Sequence, residues 1–194
     1  MSKSVRATLL GASALVASLS FNAISTPTLA EKMEKTVMVG GAEMFPSKNI
    51  IQNAVNSKDH TTLVAAVKAA GLVDTLSGKG PFTVFAPTNA AFDKLPKDTV
   101  PTLLKPENKD MLTGILTYHV VAGKLSAADL AAKAKENGGK VELKTVAGGT
   151  ITVMGEGGGW VVVDAKGGKS KITIADVNQS NGVIHVIDTV AMPN

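Results

Sequence analysis

The sequence predicts an α+β domain in which most helices precede most strands. Apolar residues recur at helical spacing in several segments between about residues 47 and 137, and they alternate as in strands after residue 140. The later segments are joined by short turns that contain glycine, which favours antiparallel pairing. Helices that cluster early and strands that cluster late are typical of α+β rather than alternating α/β domains.

Capping residues locate the helices. The predicted helices begin at Ser47, at Thr61 or Thr62, at Thr88, near Glu107 and at Ser126. Serine and threonine are frequent at helix starts because their side-chain oxygen accepts a hydrogen bond from a free N–H of the first turn. Gly71 ends the second of these helices, and Gly138-Gly139 ends the last, since glycine readily adopts the left-handed conformation found there.

Short apolar or alternating segments locate the strands. They cover residues 81–86, 117–121, 141–146, 151–154, 160–164, 171–177 and 183–190. Asn181-Gly182 predicts a left-handed turn that returns the last strand onto the strand before it. Nearly every neighbour in the last strand is β-branched, so we expect both of its faces to be covered.

Residues 1–30 have the pattern of a cleaved signal peptide. Lys3 and Arg6 are followed by an uncharged stretch up to Ala30, and small residues stand at the cleavage position Thr28-Leu29-Ala30. Polar residues from Ser20 onward interrupt the apolar run, which is too short for a membrane anchor of about 20 residues. We therefore expect export to the periplasm or the extracellular space, with no membrane span after the signal is removed.

Composition narrows the classes of function. The chain contains no cysteine, so it uses neither disulfides nor thiol chemistry. Removal of Lys3 and Arg6 lowers the formal net charge from +4 to +2 and leaves no arginine. Nucleic-acid recognition relies on the guanidinium fork for bidentate contacts, so we expect no nucleic-acid partner. The mature chain is long enough for one monomeric domain with an adequate core.

Residues 31–47 are predicted to form an extended N-terminal arm before a domain over residues 48–192. Thr36-Val37-Met38-Val39 is strand-like, and Gly40-Gly41 interrupts it. Met33, Met38 and Met44 lie close together in the chain. Thioether groups of this kind suit Cu(I), but methionines also fill irregular apolar contacts, and the second interpretation is favoured because no histidine or cysteine lies near.

Three stretches resemble the signatures of the fasciclin domain family. They are Thr83-Val84-Phe85-Ala86-Pro87-Thr88-Asn89-Ala90-Ala91-Phe92, the pair Tyr118-His119, and Gly182-Val183-Ile184-His185-Val186-Ile187-Asp188-Thr189-Val190. Their order and spacing match the family, and the resemblance covers about residues 48–192. The positions that carry it most clearly are Thr83, Phe85, Pro87, Thr88, Asn89, Phe92, Gly182, His185 and Asp188. Asn89 is a departure, because the family usually has aspartate there.

The resemblance implies a fold and a function. The family fold is a wedge or sandwich of two antiparallel sheets with helices packed around it. Family members act at the cell surface or matrix, which implies a non-enzymatic adhesion or protein-interaction module with a surface protein, matrix protein or glycan as partner. The alternative is a carrier of an apolar small molecule such as a carotenoid or lipid, because some single-domain relatives bind carotenoids.

The residues themselves predict no catalytic centre. His60, His119 and His185 are the only histidines, and no two of them have the spacing of metal ligands. His185 and Asp188 are three positions apart, so on a strand they face opposite sides. No nucleophile elbow or phosphate-binding loop occurs. We therefore expect no catalytic residue, no metal and no cofactor.

Two pairs of residues are candidate partner contacts. The resemblance implies that Tyr118-His119, with its flanking aliphatic residues, lies in a region that animal members use for integrin contact, whereas an imidazole in an apolar segment favours a structural role. It also implies a contact at Asp176-Val177, which stands where animal members have an Asp-Ile pair. Asp110 lies in a segment that imitates this motif better by its letters, but it stands in a predicted helix.

Overall fold

The computed structural model describes residues 35–193. The helices are α1 Ile50–Ala54, α2 Thr61–Ala70, α3 Val73–Ser77, α4 Asn89–Asp93, α5 Thr99–Leu103, α6 Lys109–Tyr118 and α7 Ala127–Glu136. The strands are β1 Val37–Val39, β2 Ala42–Met44, β3 Phe82–Pro87, β4 Val120–Ala122, β5 Lys140–Lys144, β6 Thr150–Glu156, β7 Gly159–Val163, β8 Lys169–Gln179 and β9 Gly182–Ile187. Residues 1–34 and 194, including the predicted signal peptide and Met33, lie outside the described residues.

Seven strands form one mixed sheet in the order β4-β3-β9-β8-β7-β6-β5. The expected antiparallel pairing holds for every neighbouring pair of this sheet except β3 and β9, which are parallel with Phe82 opposite Gly182. The α+β class is confirmed, but the expected two-sheet antiparallel arrangement is confirmed only in part. The parallel pair arises because β3 and β9 are far apart in the chain and no hairpin joins them.

The sheet separates two hydrophobic clusters. Along β3, Val84 and Ala86 belong to the first cluster, which also contains residues of α1 to α6, whereas Phe85 belongs to the second. The second cluster packs α7 against β5 and β6 through Leu130 and Ala134. Successive strand residues point to opposite faces, so a single strand contributes to both clusters. The expectation that the last strand is covered on both faces is met, since every residue of β9 is buried.

Strand β8 joins the two parts of the sheet. Its first part pairs with β7, and its later part pairs with β9. The register of β8 against β9 shifts twice, between Ile172 and Ile174 and between Ile174 and Val177. A bulge bends a strand and increases its twist, so these irregularities turn the sheet between its two parts.

The segment predicted as an extended arm forms a hairpin over the part that the structure describes. Strands β1 and β2 pair as an antiparallel hairpin around Gly40 and Gly41, both of which have positive φ. Val39 and Met44 are buried in the first cluster, so the hairpin belongs to the domain core. Met38 is 56% exposed and pairs with Glu43, whereas Met44 is buried. These two thioethers therefore do not face one another as copper ligands would.

The helix starts agree closely with the sequence prediction. Ser126 and Asp129 form a capping box at the start of α7, and the Thr88 hydroxyl accepts from the Ala91 N–H at the start of α4. Helix α1 is capped by Asn49 rather than by Ser47. The larger difference is at residues 117–121, predicted as a strand, because α6 continues to Tyr118 and only Val120 and Val121 enter β4. β-Branched residues next to a helix end make the two states hard to separate by periodicity.

Ser180-Asn181 joins β8 to β9, and the left-handed turn predicted at Asn181-Gly182 does not form. Gln179 pairs with Gly182, so Ser180 and Asn181 are the turn residues, and Gly182 is not among the glycines of positive φ. Glycine is required at 182 for a different reason. A Cβ atom there would overlap the carbonyl oxygen of Phe82 on the neighbouring strand β3.

Candidate functional site

Tyr118, the last residue of α6, is buried and has a fully used hydroxyl group. The hydroxyl donates to the Thr150 carbonyl oxygen at 2.7 Å and accepts from the Ala165 N–H at 2.9 Å. Burial raises the pKa of the Tyr118 hydroxyl, so it stays protonated. The side chain thus connects α6 to the start of β6 and to the loop after β7.

His119 is buried and holds its imidazole between two backbone groups. Nδ1 lies 2.8 Å from the Ile115 carbonyl oxygen, and Nε2 accepts from the Ala191 N–H at 3.0 Å. A carbonyl on one side and an N–H on the other require the neutral tautomer with its proton on Nδ1. Burial lowers the pKa of His119, which favours the same neutral form. The ring thus ties the end of α6 to the segment after β9.

Asp176 does not lie at an exposed strand end beside the turn. It stands within β8 at the second irregularity and has φ of 58°. Its carboxylate accepts from the Ala127 N–H at 2.7 Å, so it caps the first turn of α7, where a negative charge is stabilised. Val177 is buried in the first cluster. Asp110, the alternative, is exposed in the first turn of α6.

His185 is a second buried histidine with two backbone partners. Nε2 lies 2.8 Å from the Leu125 carbonyl oxygen, and Nδ1 accepts from the Asp176 N–H at 3.3 Å. These partners require the neutral tautomer with its proton on Nε2, the opposite of His119. Burial lowers the pKa of His185. Its ring also lies 5.6 Å from the ring of Phe85, centroid to centroid.

Asp188 uses its carboxylate at the surface and not with His185. It accepts from the Lys171 N–H at 2.8 Å and lies 3.4 Å from the Lys94 ammonium group. Burial would raise the pKa of Asp188, but the hydrogen bonds from Lys171 and Thr189 and the charge of Lys94 hold it below its usual value. The prediction that His185 and Asp188 do not form a dyad agrees with these separate partners.

Three residues of the first signature stabilise the fold. Thr83 is buried, and its hydroxyl donates to the Gly123 carbonyl oxygen at 2.7 Å and accepts from the Leu125 N–H at 2.9 Å. Pro87 ends β3 opposite Ile187, and Phe92 packs in the first cluster.

Asn89, the departure from the family pattern, uses both ends of its amide. Its oxygen accepts from the Thr62 N–H at 3.0 Å, and its nitrogen donates to the Lys58 carbonyl oxygen at 2.8 Å. An ionised aspartate has no donor, so it would accept from the Thr62 N–H but could not donate to the Lys58 carbonyl oxygen. The neutral amide of Asn89 therefore makes both contacts, which an aspartate at this position would not.

The structural roles of two buried polar residues were missed by the sequence reasoning. Asn181 accepts from the Ile50 N–H at 3.1 Å and donates to the carbonyl oxygens of Leu76 at 2.8 Å and Gly78 at 2.9 Å. It thereby ties α1 and α3 to the β8–β9 turn. His60 is buried beside the Ser57 hydroxyl, with 2.9 Å between Oγ and Nδ1. The asparagine-glycine dipeptide was a signal for a turn, but no local signal indicated the partners of Asn181, which lie more than 100 residues away in the sequence.

Two concave features lie near the tyrosine-histidine pair. A groove of about 620 Å³ is bordered by Tyr118, Glu142, Thr150, Thr152 and Asp164. The interior holds an apolar cavity of about 50 Å³ between the hairpin, α1, α2 and the sheet, bordered by His60 and His119 among mainly apolar side chains. Burial lowers the pKa of His60.

The titratable groups of residues 35–193 include no set of three His, Asp or Glu side chains that could hold a metal ion. Over the same residues, none of the helices has the length and apolar character needed to cross a membrane. The three histidines are buried and, for His119 and His185, engaged on both nitrogens. The fold and these residues define an α+β domain whose buried polar side chains stabilise the fold.

Comparisons with known proteins agree with this class. The family model of the fasciclin domain matches residues 58–193, so the chain belongs to the fasciclin domain family. Protein sll1483 of Synechocystis is 46% identical over 175 residues, which cover 88% of this chain and 90% of that protein. The immunogenic protein MPB70 of Mycobacterium bovis is 39% identical, with 72% of this chain and 66% of that protein covered. The cell surface glycolipoprotein MPB83 of the same species is 38% identical over 72% of this chain and 58% of its own.

A solved structure supports the fold. A FAS1 domain pair from the insect cell adhesion molecule Fasciclin I superimposes with a TM-score of 0.68, covering 82% of this chain and 58% of that chain. Sequence identity is 21%, so this likeness concerns the fold alone. The family model and the 46% identical relative confirm the predicted resemblance to the fasciclin family.

Proposed function

We propose that this protein is a non-enzymatic adhesion or interaction module that binds a surface protein, matrix protein or glycan outside the cytoplasm. The observation that carries the proposal is membership of the fasciclin domain family over residues 58–193. The surface glycolipoprotein among its relatives supports it. So does the use of its buried histidines and Asp176 as internal hydrogen-bonding groups, which leaves them engaged within the fold.

The tyrosine-histidine region reaches a partner through the groove above it. Tyr118 and His119 are themselves buried, as is Val177. The groove contains the exposed Thr150 and Glu142 together with Thr152, and Tyr118 also borders it. A partner would therefore contact threonine hydroxyls and carboxylates at this surface.

The test compares a groove substitution with the same substitution elsewhere. Thr150→Lys places a long cationic side chain in the groove, and Thr102→Lys makes the same change at an exposed position of α5. We expect labelled mature protein to bind cells or extracellular matrix of the source organism, with binding reduced by Thr150→Lys and unchanged by Thr102→Lys. Equal binding by both variants would remove the groove from consideration. Absence of binding by the wild-type protein to any surface fraction would contradict the proposed function itself.

The apolar-carrier alternative is not favoured. Ligand pockets for molecules of drug size have volumes of about 300–1,000 Å³. The apolar cavity of about 50 Å³ is much smaller, and the larger groove over Tyr118 contains carboxylates and hydroxyls. The absorption spectrum of protein purified from its native host separates the two functions, since a bound carotenoid would colour it.

Export is part of this proposal. The pattern of Lys3, Arg6 and Thr28-Leu29-Ala30 supports removal of residues 1–30. We expect the intact mass of the exported protein to match a chain that begins at Glu31, in the periplasm or the medium. Recovery of the uncleaved chain in the membrane fraction would contradict export as a processed protein.

A further inference from the structure

Strand β5 is an edge strand with one open side. It pairs with β6 and has no second partner over Lys140–Lys144 among the described residues. Just beyond it the edge is closed, because Thr145 forms a bridge with Val121 and the Val146 N–H donates to the Val120 carbonyl oxygen at 2.8 Å. The open edge is therefore short and ends at a fixed point.

The register shows which backbone groups are available on that edge. The Thr145 N–H donates to the Gly149 carbonyl oxygen at 2.8 Å, in line with the β5–β6 register. Hydrogen-bonded pairs alternate along an antiparallel ladder, so Val141 and Leu143 also direct their backbone groups toward β6. Lys140 and Glu142 direct theirs outward. Unpaired groups of this kind form a template for another strand.

The side chains on this strand alternate in charge. Lys140, Glu142 and Lys144 are exposed on one face, while Val141 and Leu143 are buried beneath α7. None of the ion pairs found within residues 35–193 includes Lys140 or Glu142. Lysine on an edge strand discourages pairing with other strands. With a glutamate between two lysines, the contacts with a second copy of the strand are attractive or repulsive according to the register.

We propose that the open edge of β5 binds the same edge of a second copy of this chain, antiparallel and with the two-fold axis at Val141. This register places Lys140 opposite Glu142 of the second copy, twice, and it pairs the outward backbone groups of both residues. An axis at Glu142 would oppose two glutamates and set lysines against lysines. An axis at Leu143 would place residues 141 and 140 of the second copy opposite residues 145 and 146. The outward side of those two residues already pairs with β4.

The surroundings leave room for this pairing. A groove of about 460 Å³ lies between the last turn of α7 and β5, bordered by Lys133, Glu136 and Asn137. Gly138 and Gly139, at the end of the open edge, have no neighbouring atom where a side chain would stand. The inference does not rest on the proposed adhesion function, although Glu142 also borders the groove over Tyr118.

The test is a charge exchange followed by sedimentation equilibrium of the mature protein over a wide concentration range. We expect a concentration-dependent dimer for the wild type. Lys140→Glu and Glu142→Lys each replace both ion pairs by like-charge contacts, so the dissociation constant should rise about tenfold. An equimolar mixture of the two single variants, and the double variant, should each recover the wild-type affinity.

Two matched controls change charge at exposed positions away from β5. Lys166→Glu and Glu43→Lys carry the same charge changes and should leave the dissociation constant unchanged. A wild-type protein that stays monomeric would overturn the proposal. So would a dimer that the two single variants and the two controls affect equally, or a mixture of the single variants that does not recover.

Discussion

At the scale of single residues, the polar groups most conspicuous in the sequence are those most deeply used by the fold. His119 and His185 each bind one carbonyl oxygen and one backbone N–H, and they do so with opposite ring nitrogens. A buried polar group costs less free energy when it is hydrogen-bonded than when it is unpaired. The two rings therefore favour the arrangement in which these partners, some of them distant in sequence, stay in place. The structural interpretation of His119 is the one that these contacts favour.

His119→Ala should destabilise the protein. The substitution leaves the Ile115 carbonyl oxygen and the Ala191 N–H without their partner in a buried site. Unpaired buried groups cost about 1–3 kcal/mol each, so we expect the free energy of unfolding to fall by at least about 2 kcal/mol in urea denaturation. Val146→Ala, at a half-exposed position, is the control and should change little. A variant that unfolds like the wild type but loses partner binding would favour a direct contact role.

Acidification should destabilise the fold before the carboxylates titrate. Burial lowers the pKa of His60, His119 and His185 in the folded state, whereas the unfolded chain has ordinary values near 6.5. The unfolded state therefore binds more protons as the pH falls below about 6.5, and stability is lost by about 1.4 kcal/mol per pH unit for each histidine that stays neutral when folded.

Urea denaturation at neutral and mildly acidic pH measures this loss. Nitrogen chemical shifts of the imidazoles provide the independent check, since His119 should carry its proton on Nδ1 and His185 on Nε2. A free energy of unfolding that does not change across this range, or the same tautomer at both positions, would contradict the assignment.

At the scale of elements, close approach of backbones and a few side chains at strand irregularities decide how the pieces join. Asp176 adopts a positive φ within β8 and caps α7, so one residue bends the strand and anchors the helix. Gly182 allows β9 to approach β3, and Asn181 fastens α1 and α3 to the same turn. These junctions hold together elements that are far apart in the chain.

Gly182→Ala should be among the most disruptive substitutions in the sheet. Its Cβ atom would overlap the backbone carbonyl of Phe82, which belongs to a buried strand and has little freedom to move. We expect a loss of several kcal/mol or failure to fold, measured by thermal denaturation with circular dichroism. Gly155→Ala in β6 is the matched control, because no atom lies within 4 Å of its Cβ position. Equal stability of the two variants would show that β3 and β9 are not as closely paired.

At the scale of the whole molecule, the sheet unites two hydrophobic clusters in one cooperative structure. Strands β3 and β9 contribute to both clusters through residues on their two faces, as Val84 and Phe85 illustrate. Loss of packing on one side therefore weakens the support of the other. Small single domains of this kind usually unfold in one transition.

Core truncation on either side of the sheet should shift a single unfolding transition. Leu112→Ala in the first cluster and Leu130→Ala in the second each remove buried contacts, at a cost of about 2–5 kcal/mol. Trp160, the single tryptophan, packs against the second cluster, so its fluorescence reports on that side. We expect fluorescence and circular dichroism to give the same urea midpoint in both variants.

Met111→Ala, at a position of α6 that is 61% exposed, is the control and should leave the midpoint nearly unchanged. Separate midpoints for fluorescence and circular dichroism in Leu112→Ala would show that the two clusters unfold independently.

The sequence by itself determined the α+β class, the starts of most helices and the family. It did so because capping residues, apolar periodicity and the signatures at residues 83–92 and 182–190 are local patterns. It also indicated that His185 and Asp188 face different sides, since strand alternation needs no tertiary information. The positions of Thr88 and Ser126 as helix caps follow from the same local physics.

Only the tertiary structure decided which distant groups meet. The parallel pairing of β3 with β9 and the contact of His119 with Ala191 depend on segments tens of residues apart. The role of Asp176 as a cap for α7 depends on a fold in which residues 127 and 176 meet. Such contacts form only when the whole chain packs, and no short window of sequence contains both partners. For this reason the sequence could nominate Tyr118, His119 and Asp176 but could not show that they are buried or half-buried and hydrogen-bonded within the fold.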